Sequence, residues 1–157
     1  MNILIREANR DDARLLADLT RACWAGKVAV TSSGHRETAI GVTEQLQDGG
    51  GFVLLVDQEP AGSVRWLPLE TEPGTWEIMR MGVLPKLRGE NLSQHLLEAV
   101  IHHALASEVD ELRMAVRADQ PRLLDLYAAH GFEIAPELEY SHANSMEPAP
   151  TVMRRRL

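Results

Sequence analysis

Residues 81–93 read MGVLPKLRGENLS. An apolar segment runs into Pro85, a short stretch carries Lys86, Arg88 and Gly89, and a strongly helical run follows Asn91. A strand that feeds a helix start in this way presents unpaired N–H groups and the positive end of the helix dipole. Anions dock at such ends. Lys86, Arg88 and His95 add positive charge there, and Glu90 opposes it. The stretch is not a P-loop, because no Gly-Lys-Ser/Thr follows. From this segment alone, the other reading is a plain helix start whose first turn is satisfied by Asn91 or Ser93.

On the N-terminal side of this stretch, TWEIMRMGVL (75–84) reads as a strand after the turn ETEPG. Before it, FVLLVDQEPAGSVRWLPL (52–69) has the form of a β-hairpin turning near Asp57 to Pro60. ILIREA (3–8) is a short strand, and RDDARLLADLTRACW is a helix with Leu15, Leu16, Leu19, Ala22 and Cys23 at helical spacing. AGKVAVTSSG (25–34) is a loop. HRETAIGVTEQLQ (35–47) is a weaker helix that Gly49 to Gly51 end. On the C-terminal side, residues 91–107 carry Leu92, Leu96, Leu97, Val100, Ile101, Ala104 and Leu105 on one stripe, an amphipathic helix. ELRMAVRA (111–118) alternates as a strand. PRLLDLYAAHGF is a helix from Pro121 to Gly131, and the remainder predicts two strands joined by a loop. The order β-α-α-β-β-β-α-β-α-β-β implies an α/β fold, a mixed sheet covered by helices.

The chain has 157 residues, 45% of them hydrophobic, which suits one domain over 1–157 with a real core. No apolar run reaches membrane-spanning length. The start, MNILIREANRDD, lacks a basic head and an apolar h-region, so a cytoplasmic protein is expected. Cys23 is the only cysteine, which excludes an internal disulfide and a multi-cysteine metal site; it reads as a small half-buried hydrophobe on a helix. A formal charge of −7 argues against a broad nucleic-acid surface. Arg154 to Arg156 read as a solvated chain end or the edge of a terminal strand.

A second segment changes the weight of the first. LYAAHGFE (126–133) places Tyr127 four residues before a Gly-Phe that closes a helix and opens a strand. VLPKLRG fits Val-x-Pro-x-x-Arg-Gly, and LYAAHGFE fits Leu-Tyr-x-x-x-Gly-Phe. In this order, about 40 residues apart, the two resemble the Gcn5-related N-acetyltransferase (GNAT) superfamily, whose order of elements matches nearly the whole chain. The expected sheet is therefore GNAT-like: mixed, largely antiparallel and flanked by helices.

The resemblance implies a coenzyme A pyrophosphate site at Arg88-Gly89-Glu90-Asn91-Leu92-Ser93. Arg88 and Gly89 match the family pattern; Asn91 stands where glycine is usual, and Ser93 where glycine or alanine is. Asn tolerates positive φ better than most residues, and main-chain N–H groups do most of the anion binding. Coenzyme A binding is therefore expected to survive. By the same resemblance, this strand splays from its neighbour at a bulge, the backbone of Met81 and Val83 meets the pantetheine arm, and a main-chain N–H near Met81 holds the thioester oxyanion. Glu77 aligns with a carboxylate that serves as general base; its other reading is a charge on the solvent face of a strand. Tyr127 aligns with the acid that protonates the departing thiolate, or else packs in the helix–sheet interface. An Asn often found seven residues before that tyrosine is Gln120 here.

The expected reaction is acetyl transfer from acetyl-coenzyme A, as cosubstrate without a metal, to a primary amine of a small molecule or peptide. Trp24, Lys27, Ser32, Ser33, Tyr140 and His142 are the acceptor-contact candidates, and the acidic balance leans toward cationic acceptors. No nucleic-acid or membrane partner is expected. Dimers are frequent in proteins this one resembles. The alternative is a non-catalytic acyl-coenzyme A sensor or partner-binding module with a degenerate pyrophosphate loop. His102 and His103 point in different directions on their helix and do not suit a metal. Trp66 and Trp76, on consecutive strands, read as a cross-strand pair.

Overall fold

A computed structural model of the chain describes residues 1–25, 31–142 and 144–157. Seven strands form one sheet in the order β1-β2-β3-β4-β5-β7-β6. They are β1 (Ile3–Glu7), β2 (Gly50–Val56), β3 (Glu59–Pro68), β4 (Thr75–Val83), β5 (Glu111–Val116), β6 (Glu133–Ile134) and β7 (Thr151–Arg156). Every neighbouring pair is antiparallel except β4–β5. Four helices cover the sheet: α1 (Ala13–Trp24), α2 (Ala39–Asp48), α3 (Leu92–Ala106) and α4 (Leu123–Ala128). The mixed, largely antiparallel sheet flanked by helices is the architecture the sequence implied.

The apolar stripe of α3 lies on one face of the sheet. Leu96, Leu97, Val100 and Ala104 are all at most 1% exposed and join Leu54, Val64, Ile78 and Leu112 in the main core. Fully burying each such side chain stabilises the fold by about 1.5–3 kcal/mol. His103 of α3 lies within 5.1 to 5.7 Å of the rings of Phe52, Trp66 and Trp76, and Trp66 stacks on Trp76 at 5.5 Å. These residues are packing elements, as their spacing suggested. On α1 and α2, Leu16, Ala17 and Val42 gather with Val53 in a second cluster.

Several boundaries differ from the sequence reading, each for a local reason. The second helix begins at Ala39, because Thr38 accepts the Gly41 N–H at 3.1 Å and caps it; residues 33–36 form a separate 3₁₀ turn. Gly50 and Gly51 belong to β2, where they permit close approach. A Cβ on Gly50 would stand 2.4 Å from the Trp66 ring. The helix expected from Pro121 becomes α-helical only at Leu123, after a tighter turn in which Leu124 N–H donates to the Pro121 carbonyl at 3.2 Å. The basic run 154–156 lies in the last strand, β7, which pairs with β5 throughout and with β6 only at Met153 and Arg154, so that Arg156 is exposed; Arg154 lies 3.1 Å from Glu137, and Arg155 donates to the His130 carbonyl at 2.9 Å.

Two features of β4 shape everything that follows. Against β3, Ser63 pairs with Gly82 and Arg65 with Met79, so Arg80 and Met81 together oppose Val64. This is a β-bulge, with Arg80 in the left-handed region at φ 54°. Against β5, pairing runs only from Thr75–Glu111 to Ile78–Met114. Beyond that point β4 and β5 part, and the β5-facing main chain of residues 79–83 has no strand partner.

Candidate active site

The parted strands open a groove of about 410 Å³. One wall is Met81, Gly82 and Val83, the floor is the start of α3, and the far wall is Leu123, Leu126 and Tyr127 of α4. Arg88, Gly89, Asn91, Leu92 and Ser93 all line it. Gly89 has φ +90°, and a Cβ there would meet nothing within 4 Å. Asn91 follows in the left-handed region, φ 58° and ψ 26°, as the N-cap of α3. Its side chain makes no capping hydrogen bond; Gln94 N–H donates to the Asn91 carbonyl at 3.3 Å, and Leu92 and Ser93, the first two residues of α3, line the groove. The expectation that Asn91 or Ser93 caps this turn fails for Asn91. What Asn91 supplies instead is the backbone conformation that a glycine would give.

Two of the expected loop residues behave differently. Glu90 is exposed and is not among the groove-lining residues. The Arg88 guanidinium donates to the Cys23 carbonyl at 2.6 Å, at the C-terminal end of α1. Arg88 therefore ties the loop to α1 while bordering the groove. Because Asn91 holds a left-handed conformation, a β-branched residue is strained there. Asn91→Val is expected to lower stability by about 1–3 kcal/mol and to weaken acetyl-coenzyme A binding. Asn91→Gly should leave both near wild type. Thermal melts with and without ligand check this; equal behaviour of the two variants would contradict it.

Tyr127 is 8% exposed and stands where the groove meets a cavity of about 80 Å³ between the parted strands, lined by Ile78, Met79, Arg80, Met81 and Arg117. Burial pushes its phenol up to about 12, only partly offset by the Arg117 cation. The proton is therefore in place throughout the neutral range. Desolvation raises thiol pKa values as well, so a thiolate released in this site also gains affinity for that proton.

The small cavity continues past Trp24, Met79 and Arg80 into a third space of about 150 Å³, which Ser33, Tyr140, His142, Asn144 and Glu147 also line. Glu77 meets this region through His142, which lines it. It is not on a solvent face: it is 3% exposed, because the loop between β6 and β7 folds over it. Ser141 Oγ donates to Glu77 Oε1 at 2.5 Å, and His142 Nδ1 lies 3.2 Å from the same oxygen. Burial pushes the Glu77 carboxyl upward, but the contacts from His142 and Ser141 outweigh it and hold the group below the usual carboxylate range. Tyr140 is pushed up to about 12 by burial and by the Glu77 charge.

Beneath the bulge lies a charge network that the sequence did not reveal. Arg65 is 0% exposed; it pairs with Glu37, donates to Gln45 at 2.7 Å and to Thr20 at 3.2 Å. Glu37 also lies 2.8 Å from Arg80, whose guanidinium donates to Ser33 at 2.8 Å. Arg80 is thus held in its left-handed conformation by two partners. Arg117 stacks over Trp24 at 5.2 Å. Of the expected acceptor contacts, Trp24, Ser32, Ser33, Tyr140 and His142 all line the third cavity; Lys27 lies outside the described residues. Gln120 is buried and borders the groove near Arg88. Among the described residues, no group of His, Cys, Asp and Glu is arranged to hold a metal ion, and no helix is long and apolar enough to cross a membrane.

The architecture has many counterparts. The PaiA N-acetyltransferase from Thermoplasma acidophilum, solved in complex with coenzyme A, superposes over 100% of both chains with a TM-score of 0.79 at 15% identity. The ribosomal-protein-S18-alanine N-acetyltransferase from Escherichia coli does so over 99% of this chain and 94% of its own, with a TM-score of 0.75 at 16% identity. At such identities the likeness speaks for the fold. In sequence, a mycothiol acetyltransferase of Streptomyces griseus is 28% identical over 126 residues, which is 80% of this chain and 41% of that protein. Another, from Kytococcus sedentarius, is 31% identical over 107 residues, 64% of this chain and 36% of that protein. The chain thus spans about two-fifths of the length of these relatives. The profile of the Acetyltransferase (GNAT) family matches residues 14–132, a stretch that holds the bulged strand, the Arg88-Gly89 loop and Tyr127, and the chain belongs to that family.

Proposed function

We propose that residues 1–157 form one catalytic unit that moves an acetyl group from acetyl-coenzyme A to a primary amine by direct attack on the thioester. One observation carries the reading. The opening between β4 and β5 joins the groove at the start of α3 to the cavity above Glu77, and Tyr127 stands at the junction. A donor lying in the groove and an acceptor entering from the other side would meet at the bulge.

Each residue has a role in this reading. Gly89, Asn91, Leu92 and Ser93 turn main-chain N–H groups toward the pyrophosphate, with Arg88 fixing the loop and Glu90 on its outer side. Met81 and Val83 offer unpaired main-chain groups to the pantetheine amides, and an N–H near Met81 meets the oxyanion of the tetrahedral intermediate. Tyr127 gives its proton to the departing thiolate. Glu77 supplies the negative charge that draws a proton from the amine. Of the two departures that support the sensor reading, Asn91 and Ser93, the first adopts the backbone conformation that a glycine would have given, which favours the transferase.

The test is thiol release from acetyl-coenzyme A with a panel of amines: glycinamide, spermidine, an aminoglycoside and an alanine-initiated peptide. Release that requires an amine, with one acetyl group gained by that amine in mass spectrometry, is expected. Binding of acetyl-coenzyme A without any acetylated product would favour the sensor.

A further inference from the structure

Glu77 is poorly placed to be the group that touches the amine. It is 3% exposed, and its Oε1 is already engaged by both Ser141 and His142. His142 is different: its side chain is 48% exposed, and it lines the acceptor cavity together with Met79, Arg80 and Trp24.

The hydrogen bonds fix which ring nitrogen carries the proton. Ser141 commits its hydroxyl hydrogen to Glu77. Towards His142 Nδ1, then, both Ser141 Oγ at 2.8 Å and Glu77 Oε1 at 3.2 Å present lone pairs. Two acceptors facing one nitrogen require it to be the protonated one. The neutral ring is therefore the Nδ1–H tautomer, and Nε2, on its other edge, keeps its lone pair for substrate.

Building on the acetyl-transfer reading, we propose that His142 is the general base, with Nε2 accepting the amine proton, and that Glu77 and Ser141 are its positioning residues. The amine nitrogen attacks the thioester carbonyl, and the new N–C bond forms as the carbonyl oxygen takes the charge. The proton on that nitrogen passes to His142 Nε2. Collapse breaks the C–S bond, and the thiolate takes the Tyr127 proton. Imidazolium and phenolate are then reset by solvent, so the net transfer is one proton from nitrogen to sulfur. The buried Glu77 carboxylate stabilises the imidazolium, as the third member of a catalytic triad does. Among the described residues, the other charges lining the cavity are Arg80 of β4, Arg117 after β5 and Glu147 of the late loop, and behind Arg80 stands Glu37, which pairs with both Arg80 and Arg65 of β3.

Thiol release against pH, with the most reactive amine of the panel, tests this. His142→Gln should lower kcat/KM by roughly 10²-fold and remove the acid limb, and added imidazole should restore part of the rate of His142→Ala. Glu77→Gln should slow the reaction, since the His142 ring loses the partner that fixes its tautomer. A limb that survives in His142→Gln and vanishes in Glu77→Gln would overturn the proposal and make Glu77 the base. Wild-type profiles in both variants would overturn it too. If no amine is acetylated, the transferase reading fails, and imidazole ¹H–¹⁵N spectra still decide this one. An Nδ1–H tautomer for His142, lost in Glu77→Gln, supports it; an Nε2–H tautomer in the wild type overturns it.

Discussion

Tyr127→Phe is expected to lower kcat by roughly 10²–10⁴-fold while leaving acetyl-coenzyme A affinity unchanged. The substitution removes one oxygen and keeps the ring that packs beside Phe132 at 6.4 Å. Stability should therefore hold, and the loss belongs to the step that expels the thiolate. The wild-type pH profile carries a companion expectation. With the phenol held up to about 12 by burial, its ionisation imposes no basic limb below pH 10, where an ordinary tyrosine would begin to lose its proton. Thiol-release kinetics and calorimetric titration measure both quantities. Unchanged turnover, or a loss matched by weakened binding, would remove Tyr127 from the acid role.

Glu37→Ala is expected to be the most damaging single substitution away from the reacting groups. Glu37 is the shared partner of Arg65, fully buried, and Arg80, which occupies the bulge. Its removal leaves a buried guanidinium without a counter-charge, a change that costs about 3–5 kcal/mol. For a chain of this length that is roughly a 10 °C fall in Tm. Arg80 also loses one of the two partners that hold it at positive φ, so turnover should fall with stability. Adding Arg65→Met to Glu37→Ala removes the stranded charge and should recover part of the loss. A Tm within 2 °C of wild type would contradict the account of this network.

The sequence made the residues of the groove readable because they lie in two local segments. Strand, proline, Arg88-Gly89 and helix start are contiguous, and so are Tyr127 and the Gly-Phe that follows. The acceptor side was not, because its contacts join distant segments. Glu77 meets Ser141 and His142 across more than sixty residues, and Arg65 meets Glu37 across 28; no periodicity records such pairs. The alternation of β4 left a solvent-facing Glu77 open, since nothing in it announces that a late loop folds over that face. His142 was noted as an acceptor contact, yet its bond to Glu77 is what gives it a role. The bulge followed only from the family resemblance, because the residues themselves do not mark it: Arg80 occupies a left-handed position that usually advertises itself with glycine.

The groove at the start of α3 is expected to take acetyl-coenzyme A despite Asn91 and Ser93, and a thermal melt with acetyl-coenzyme A, and with ADP as a partial ligand, decides it. At 100 times its dissociation constant the ligand should add about 2.7 kcal/mol, or roughly 5–10 °C in Tm, with a much smaller shift from ADP. No shift at saturating acetyl-coenzyme A would contradict the account, whatever the fold.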